Sequence, residues 1–285
     1  MKTDAIHIRD PFVLNVEGRY YLYGTRGAEC WGGGLGLDVY VSDDLENWSE
    51  PHEVFRRPEG FWADRNFWAP EVHALAGAYY MFVSFKSADA CRGTQILKAE
   101  SPMGPFLPYS DGPVTPRDWE CLDGTLYVDP KGRPYMVFCH EWVQVRDGEM
   151  CALPLSDDLR QPIGAPILLF RASEPAWAPK GAERYVTDGP FMYRTSGGEL
   201  LMIWSSFTEQ EGYCEAVARS DNGDITGHWT QDKDLLFTKD GGHGMIFADN
   251  AGGLRFICHQ PNNTPMERPK LFDLIDTGRT LVRKG

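Results

Sequence analysis

Hydrophobic and polar positions follow one scheme five times along the chain. An acidic or polar residue beside Pro or Gly opens an apolar run, a Gly-containing turn follows, and a second, aromatic-rich run closes the unit. The first copy is Arg9-Asp10-Pro11-Phe12-Val13-Leu14, Glu17-Gly18, then Tyr20-Tyr21-Leu22-Tyr23. The others open at Ala69-Pro70-Glu71-Val72, Leu122-Asp123-Gly124-Thr125, Thr187-Asp188-Gly189-Pro190 and Gly242-His243-Gly244-Met245. Two strand-like runs around a turn signal predict a β-hairpin in each copy.

A second pattern trails most hairpins. Val39-Tyr40-Val41-Ser42-Asp43-Asp44-Leu45 leads to Trp48, and Ala216-Val217-Ala218-Arg219-Ser220-Asp221 leads to Trp229. Each predicts a strand, a polar turn and an edge strand, so a unit is a four-stranded sheet with Trp48 and Trp229 as structural residues. The starts at 10, 71, 123, 188 and 243 lie about 50–65 residues apart, a period that suits the blades of a propeller. The predicted fold is all-β, a five-bladed β-propeller occupying 1–285 as one domain. A β-sandwich does not explain five matched copies. The stretch Arg268–Ile275 is expected to supply a closing strand to the first or last blade.

Composition narrows the partners. The 42% hydrophobic fraction supports a core, and the net charge of -13 argues against a nucleic-acid partner, which needs a basic face. No apolar stretch is long enough to span a membrane. The 7 cysteines are scattered without a CxxC pair, which disfavours a zinc cage and suggests a reducing compartment. No signal peptide is visible, so a cytoplasmic location is expected, or a secreted or periplasmic one if a leader has been trimmed. Oligomeric state is not legible.

The innermost strands of a propeller line a central channel. The residues that open the five copies, Asp10, Glu71, Asp123, Asp188 and His243, are therefore expected at one mouth of it. A single such Asp is ordinary turn chemistry. Four acids on one funnel resist joint ionisation and need another reason. Glycoside hydrolysis supplies one: an acid protonates the leaving oxygen while a second carboxylate activates water or attacks the anomeric carbon.

These segments, with Phe67-Trp68-Ala69-Pro70-Glu71-Val72 the most specific among them, resemble glycoside hydrolase family 43 over essentially the full chain. The resemblance implies an inverting hydrolase, exo-acting on arabinose- or xylose-containing glycans, of the α-L-arabinofuranosidase or β-xylosidase type. It implies Asp10 as general base, Asp123 as the carboxylate that raises and orients the donor, and Asp188 as general acid. Asp188 departs from the family's Glu-Gly-Pro context by one methylene, which makes Glu174, in Ser173-Glu174-Pro175, a reserve acid. His243 resembles a channel histidine that contacts a metal-bound water, so a structural calcium ion is expected there and no other cofactor. Glu71 resembles a substrate-contacting or structural acid. Sugar faces stack on aromatics, which nominates Phe12, Trp31, Trp68, Trp142 and Trp177. His140 and His259 sit at strand ends without an assigned role. The expected partner is an oligosaccharide or polysaccharide. The alternatives are a propeller glycosidase of other specificity, galactosidase-like, or a carbohydrate-binding propeller that has lost activity.

Overall fold

The structure is a computed structural model that describes residues 1–284. Its strands form five antiparallel four-stranded sheets, each contiguous in sequence. The first blade comprises β1 (Ile8–Val16), β2 (Arg19–Arg26), β3 (Gly36–Ser42) and β4 (His52–Arg56). The second comprises β5 (Arg65–Leu75), β6 (Ala78–Lys86), β7 (Gly93–Ala99) and β8 (Leu107–Pro108). The third comprises β9 (Cys121–Val128), β10 (Pro134–His140), β11 (Glu149–Pro154) and β12 (Ile167–Arg171), with the short helix α1 (Trp142–Val145) after β10. The fourth comprises β13 (Asp188–Arg194), β14 (Leu200–Thr208), β15 (Gly212–Ser220) and β16 (Trp229–Gln231). The fifth comprises β17 (Gly242–Ala248), β18 (Leu254–Gln260), β19 (Arg268–Asp276) and β20 (Leu281–Arg283).

The five hairpins predicted from the sequence are the two inner strands of each blade. Their apolar runs are continuous because both faces of a blade are buried, one against each neighbour. In β14, Leu200, Met202 and Trp204 pack toward the third blade, while Leu201 and Ile203 pack toward the fifth. Burying Trp204, which has no exposed surface, contributes roughly 3 kcal/mol. Trp229 is buried in the layer facing the third blade, and Trp48 in the core shared by the first and second blades.

Ring closure involves no shared strand. The Arg268–Ile275 segment becomes β19, the third strand of the last blade, and that blade draws all its strands from its own stretch of chain. Side chains join last blade to first. Arg9 donates to Glu267 at 2.6 Å and to Asn262 at 2.8 Å, and Asn15 donates to the Ala248 carbonyl at 3.0 Å. All seven cysteines are free thiols.

Candidate functional site

The mouth is built by a backbone device repeated in every blade. In each innermost strand two residues face one on the partner strand, so the pairing register slips: Asp10-Pro11, Ala69-Pro70, Asp123-Gly124, Gly189-Pro190 and His243-Gly244. The first residue of each pair has left-handed φ, 52° at Asp10, 48° at Ala69, 57° at Asp123, 49° at Gly189 and 51° at His243. These are β-bulges, which re-aim side chains at strand ends. Pro or Gly follows in all five.

The bulge N–H groups are held across the blade boundaries. Asp10 donates to His259 Nδ1 at 3.2 Å, Ala69 to Thr25 Oγ1 at 2.8 Å, Asp123 to Ser84 Oγ at 2.9 Å and His243 to Ser205 Oγ at 2.6 Å. Each acceptor occupies the same register position on the second strand of the preceding blade. In the third blade that position is Cys139, opposite Leu122. Gly189 N–H instead donates to the Asp123 carboxylate, at 3.0 Å from Oδ2. Two candidate site elements are thereby tied together by the backbone.

The bulges correct the expected equivalence of the five opening residues. Asp10, Asp123 and His243 are bulge residues. Asp188 precedes its bulge and corresponds to Arg9 and Trp68; Glu71 lies two residues past its bulge and corresponds to Phe12 and Phe191. The larger side chains before and at the bulge reach the cavity, whereas Phe12 and Glu71, two positions on, are buried outside its lining. Arg9, Asp10, Trp68, Asp123, Asp188 and His243 accordingly line one cavity of about 660 Å³.

Phe12 and Glu71 do not line it. Phe12 packs in the core against His73 and Phe191, with ring centroids 5.3 and 6.3 Å away. Glu71 is buried with its Oε2 3.3 Å from His73 Nε2. Glu174, the reserve acid, is exposed, and its carboxylate accepts the Arg171 N–H at 2.9 Å. It stays on the loop that precedes the fourth blade because this local bond holds it there, so it is no donor at the cavity. Trp177 packs on Trp204. His140 is stacked on Trp119 and pairs with Glu149 at 3.0 Å, away from the cavity lining. Trp31 and Trp142 do line the cavity.

The three aspartates have different surroundings. Burial by itself raises the Asp10 carboxyl, but His243, Arg9 and the Thr25 hydroxyl more than offset it and hold it below the usual aspartate range. His243 Nδ1 is 3.2 Å from Asp10 Oδ1, and Thr25 donates to Oδ2 at 2.6 Å. Burial lowers His259 to about 3. Its neutral Nδ1 accepts the Asp10 N–H, which leaves the proton on Nε2, 3.3 Å from Asn262 Oδ1.

Asp123 and Asp188 go the other way. Burial, reinforced by Asp10, pushes Asp123 well above the usual range despite the Gly189 N–H. Burial and then Asp123 raise Asp188 to about 7, opposed by His243 and by the Tyr213 hydroxyl. One carboxylate that stays ionised beside one that keeps a proton near neutrality is the pairing that acid–base cleavage of an acetal requires.

Several residues in or behind the lining escaped the sequence pattern. Arg92 lies behind it, packing 4.0 Å over the Trp68 ring and donating to Glu141 at 3.0 Å. Glu141 is buried at the cavity wall, and its carboxyl is raised by burial against the pull of Arg92. Tyr213 donates to Asp188 Oδ2 at 3.0 Å. Thr264, on the loop between β18 and β19, accepts from Trp31 Nε1 at 3.1 Å and fixes that exposed ring at the rim. None of these lies at a repeat-opening position, and the only available signal was their residue type.

A central calcium would need oxygen ligands. His243 Nδ1 is already engaged by Asp10 and, at 3.7 Å, by Asp123. Among the described residues no group of three or more His, Cys, Asp or Glu could hold a metal ion.

A five-bladed propeller with a low-titrating and a high-titrating carboxyl on one cavity suits carbohydrate cleavage. The chain matches the family model "Glycosyl hydrolases family 43" over residues 5–282. It belongs to that family, and its class is glycoside hydrolase. An endo-arabinase from Bacteroides thetaiotaomicron is similar in structure, with TM-score 0.90 and 39% identity, covering 98% of this chain and 99% of that one. An exo-1,5-alpha-L-arabinanase from a bovine ruminal metagenomic library shares the fold, with TM-score 0.72 and 20% identity over 100% of both chains. In sequence, the chain is 23% identical over 149 residues to extracellular endo-alpha-(1->5)-L-arabinanase 1 of Bacillus subtilis, covering 49% of this chain and 45% of that protein. The match thus spans about half the length of that relative.

Proposed function

We propose that this chain hydrolyses α-1,5-linked L-arabinan at internal bonds, with inversion. The observation that carries the chemistry is the division of labour between Asp10, held ionised by His243 and its neighbours, and Asp188, held protonated near neutral pH. The substrate class rests on likeness to the endo-arabinase, the similar structure with 39% identity over nearly the whole chain. Internal cleavage replaces the exo mode expected from the sequence. In support, four large aromatic residues share the cavity with the carboxylates: Trp31 and Trp68 from the first and second blades, Trp142 and Phe207 from the third and fourth.

In this reading Asp10 takes a proton from a water whose oxygen attacks the anomeric carbon. The glycosidic C–O bond breaks, its electron pair goes to the leaving oxygen, and Asp188 supplies that oxygen with a proton. Asp123 keeps the Asp188 proton in place by its proximity and anchors the Gly189 N–H. Trp68, backed by Arg92, and Trp31 give apolar faces to the sugar rings.

The test is digestion of linear arabinan, with xylan and p-nitrophenyl α-L-arabinofuranoside beside it, and chromatography of the products over time. A ladder of arabino-oligosaccharides is expected early in the reaction. Arabinose alone from the first time point would establish the exo mode instead. Cleavage of xylan without cleavage of arabinan would overturn the substrate class.

A further inference from the structure

Tyr213 is a buried residue on β15 whose hydroxyl faces the cavity. Its ring has little freedom. It stacks on His259, with centroids 5.6 Å apart and planes 20° apart, and touches Phe207 at 5.0 Å. Gly242 lies beneath it, and a Cβ there would come within 2.9 Å of Tyr213 Cε1. Three elements thus aim the hydroxyl at one atom, Asp188 Oδ2, 3.0 Å away.

A phenol hydroxyl has one proton to donate. When it donates to Oδ2 of a protonated carboxyl, that oxygen is the carbonyl-like acceptor, and the acid proton must sit on Oδ1. We propose that Tyr213 is a positioning residue for the general acid: its hydroxyl bond to Asp188 Oδ2 places the acidic proton on Oδ1, facing the substrate, and strengthens as that proton leaves. A short Asp side chain gains most from such a fixed partner, because it cannot reach for the leaving oxygen as a Glu can. The inference rests on the acid role given to Asp188 above.

The step balances simply. The Oδ1 proton passes to the glycosidic oxygen as the C–O bond breaks, and the negative charge left on Asp188 is shared with the Tyr213 bond. Hydrogen bonds to charged groups are stronger than those to neutral ones. Tyr213 remains a donor throughout, since burial, followed by Asp188, Asp10 and Asp123, pushes its own ionisation well above the usual range. The other titratable groups facing Asp188 are Asp123 on β9, Cys139 on β10, Glu141 before α1 and His243 on β17.

Tyr213→Phe keeps the ring on His259 and removes only the hydroxyl. Two readouts decide the proposal. The first is titration of the Asp188 carboxyl by 13C NMR in the full chain, its signal identified by its loss in Asp188→Asn. The wild-type midpoint is expected near 7 and should rise by about one unit in Tyr213→Phe, because the bond favours the ionised form. The second is arabinan hydrolysis across pH: kcat should fall about tenfold with KM unchanged, and the alkaline limb should move up by the same unit. A midpoint and limb that stay put would overturn the proposal, even if the rate fell, since a purely structural tyrosine would leave both in place. The NMR readout needs no substrate. If wild type leaves arabinan intact, the proposed function fails while the Tyr213–Asp188 bond is still tested.

Discussion

Gly189→Ala should damage both stability and turnover, and the size of each effect follows from the bulge ring. Gly189 holds φ 49°, a region in which an L side chain costs about 1–2 kcal/mol. That cost is bearable, because Ala69 has φ 48° at the equivalent place in the second blade. Steric contact weighs more heavily. A Cβ on Gly189 would lie 2.7 Å from His243 Cδ2, 2.8 Å from Cγ and 3.1 Å from Cα. Overpacking of this kind costs roughly 1–3 kcal/mol, and with the backbone strain the loss comes to about 2–5 kcal/mol and a fall in Tm of about 3–8 °C for a chain of this length. His243 must move, and its Nδ1 now lies 3.2 Å from Asp10 and 3.7 Å from Asp123. Displacing it by a few tenths of an ångström should slow arabinan cleavage about tenfold or more, since misplacement of about 1 Å costs near a hundredfold. The measurements are calorimetric Tm and initial rates, with Ala69→Gly as the companion variant, expected to change stability by about 1 kcal/mol or less. If Gly189→Ala matched wild type in both, or if the two variants shifted Tm equally, contact with His243 would not be what reserves the position for glycine.

Other expectations are simpler. Asp10→Asn and Asp188→Asn should each lower kcat by roughly 10²–10⁴ while leaving the fold intact by circular dichroism; full activity in either variant would remove it from the acid–base pair. Activity should decline as pH rises through about 7, where Asp188 loses the proton it must donate, and should persist below neutrality because Asp10 stays ionised down to a pH under 3.8; a pH–rate profile of kcat/KM checks both limbs. Glu174→Gln should leave the arabinan rate within about twofold, because that side chain is exposed and bonded locally; a loss matching that of Asp188→Asn would restore it as the acid.

The sequence alone carried the architecture. Five copies of a hairpin pattern dictate five blades, because a strand pair with both faces apolar must be covered by a neighbour on each side. It also carried Asp10, Asp123, Asp188 and His243 to the mouth, since residues opening successive inner strands must converge there. It could not distinguish Asp188 from Glu71. Both are acids in a Pro- or Gly-flanked opening, but one precedes its bulge and the other lies two residues beyond, and that offset sends one side chain into the cavity and buries the other beside His73. A bulge is a property of two paired strands, so the offset has no one-dimensional signature. Phe12 was misjudged for the same reason, and the expected reach of Glu174 gave way to a local bond to Arg171. Two further partners of the acid, Tyr213 and Glu141, come from a third strand and from a loop. Pairing within a blade brings Tyr213 to Asp188, and packing between blades brings Glu141 there, so contacts tens of residues apart in the chain arise only in the folded protein.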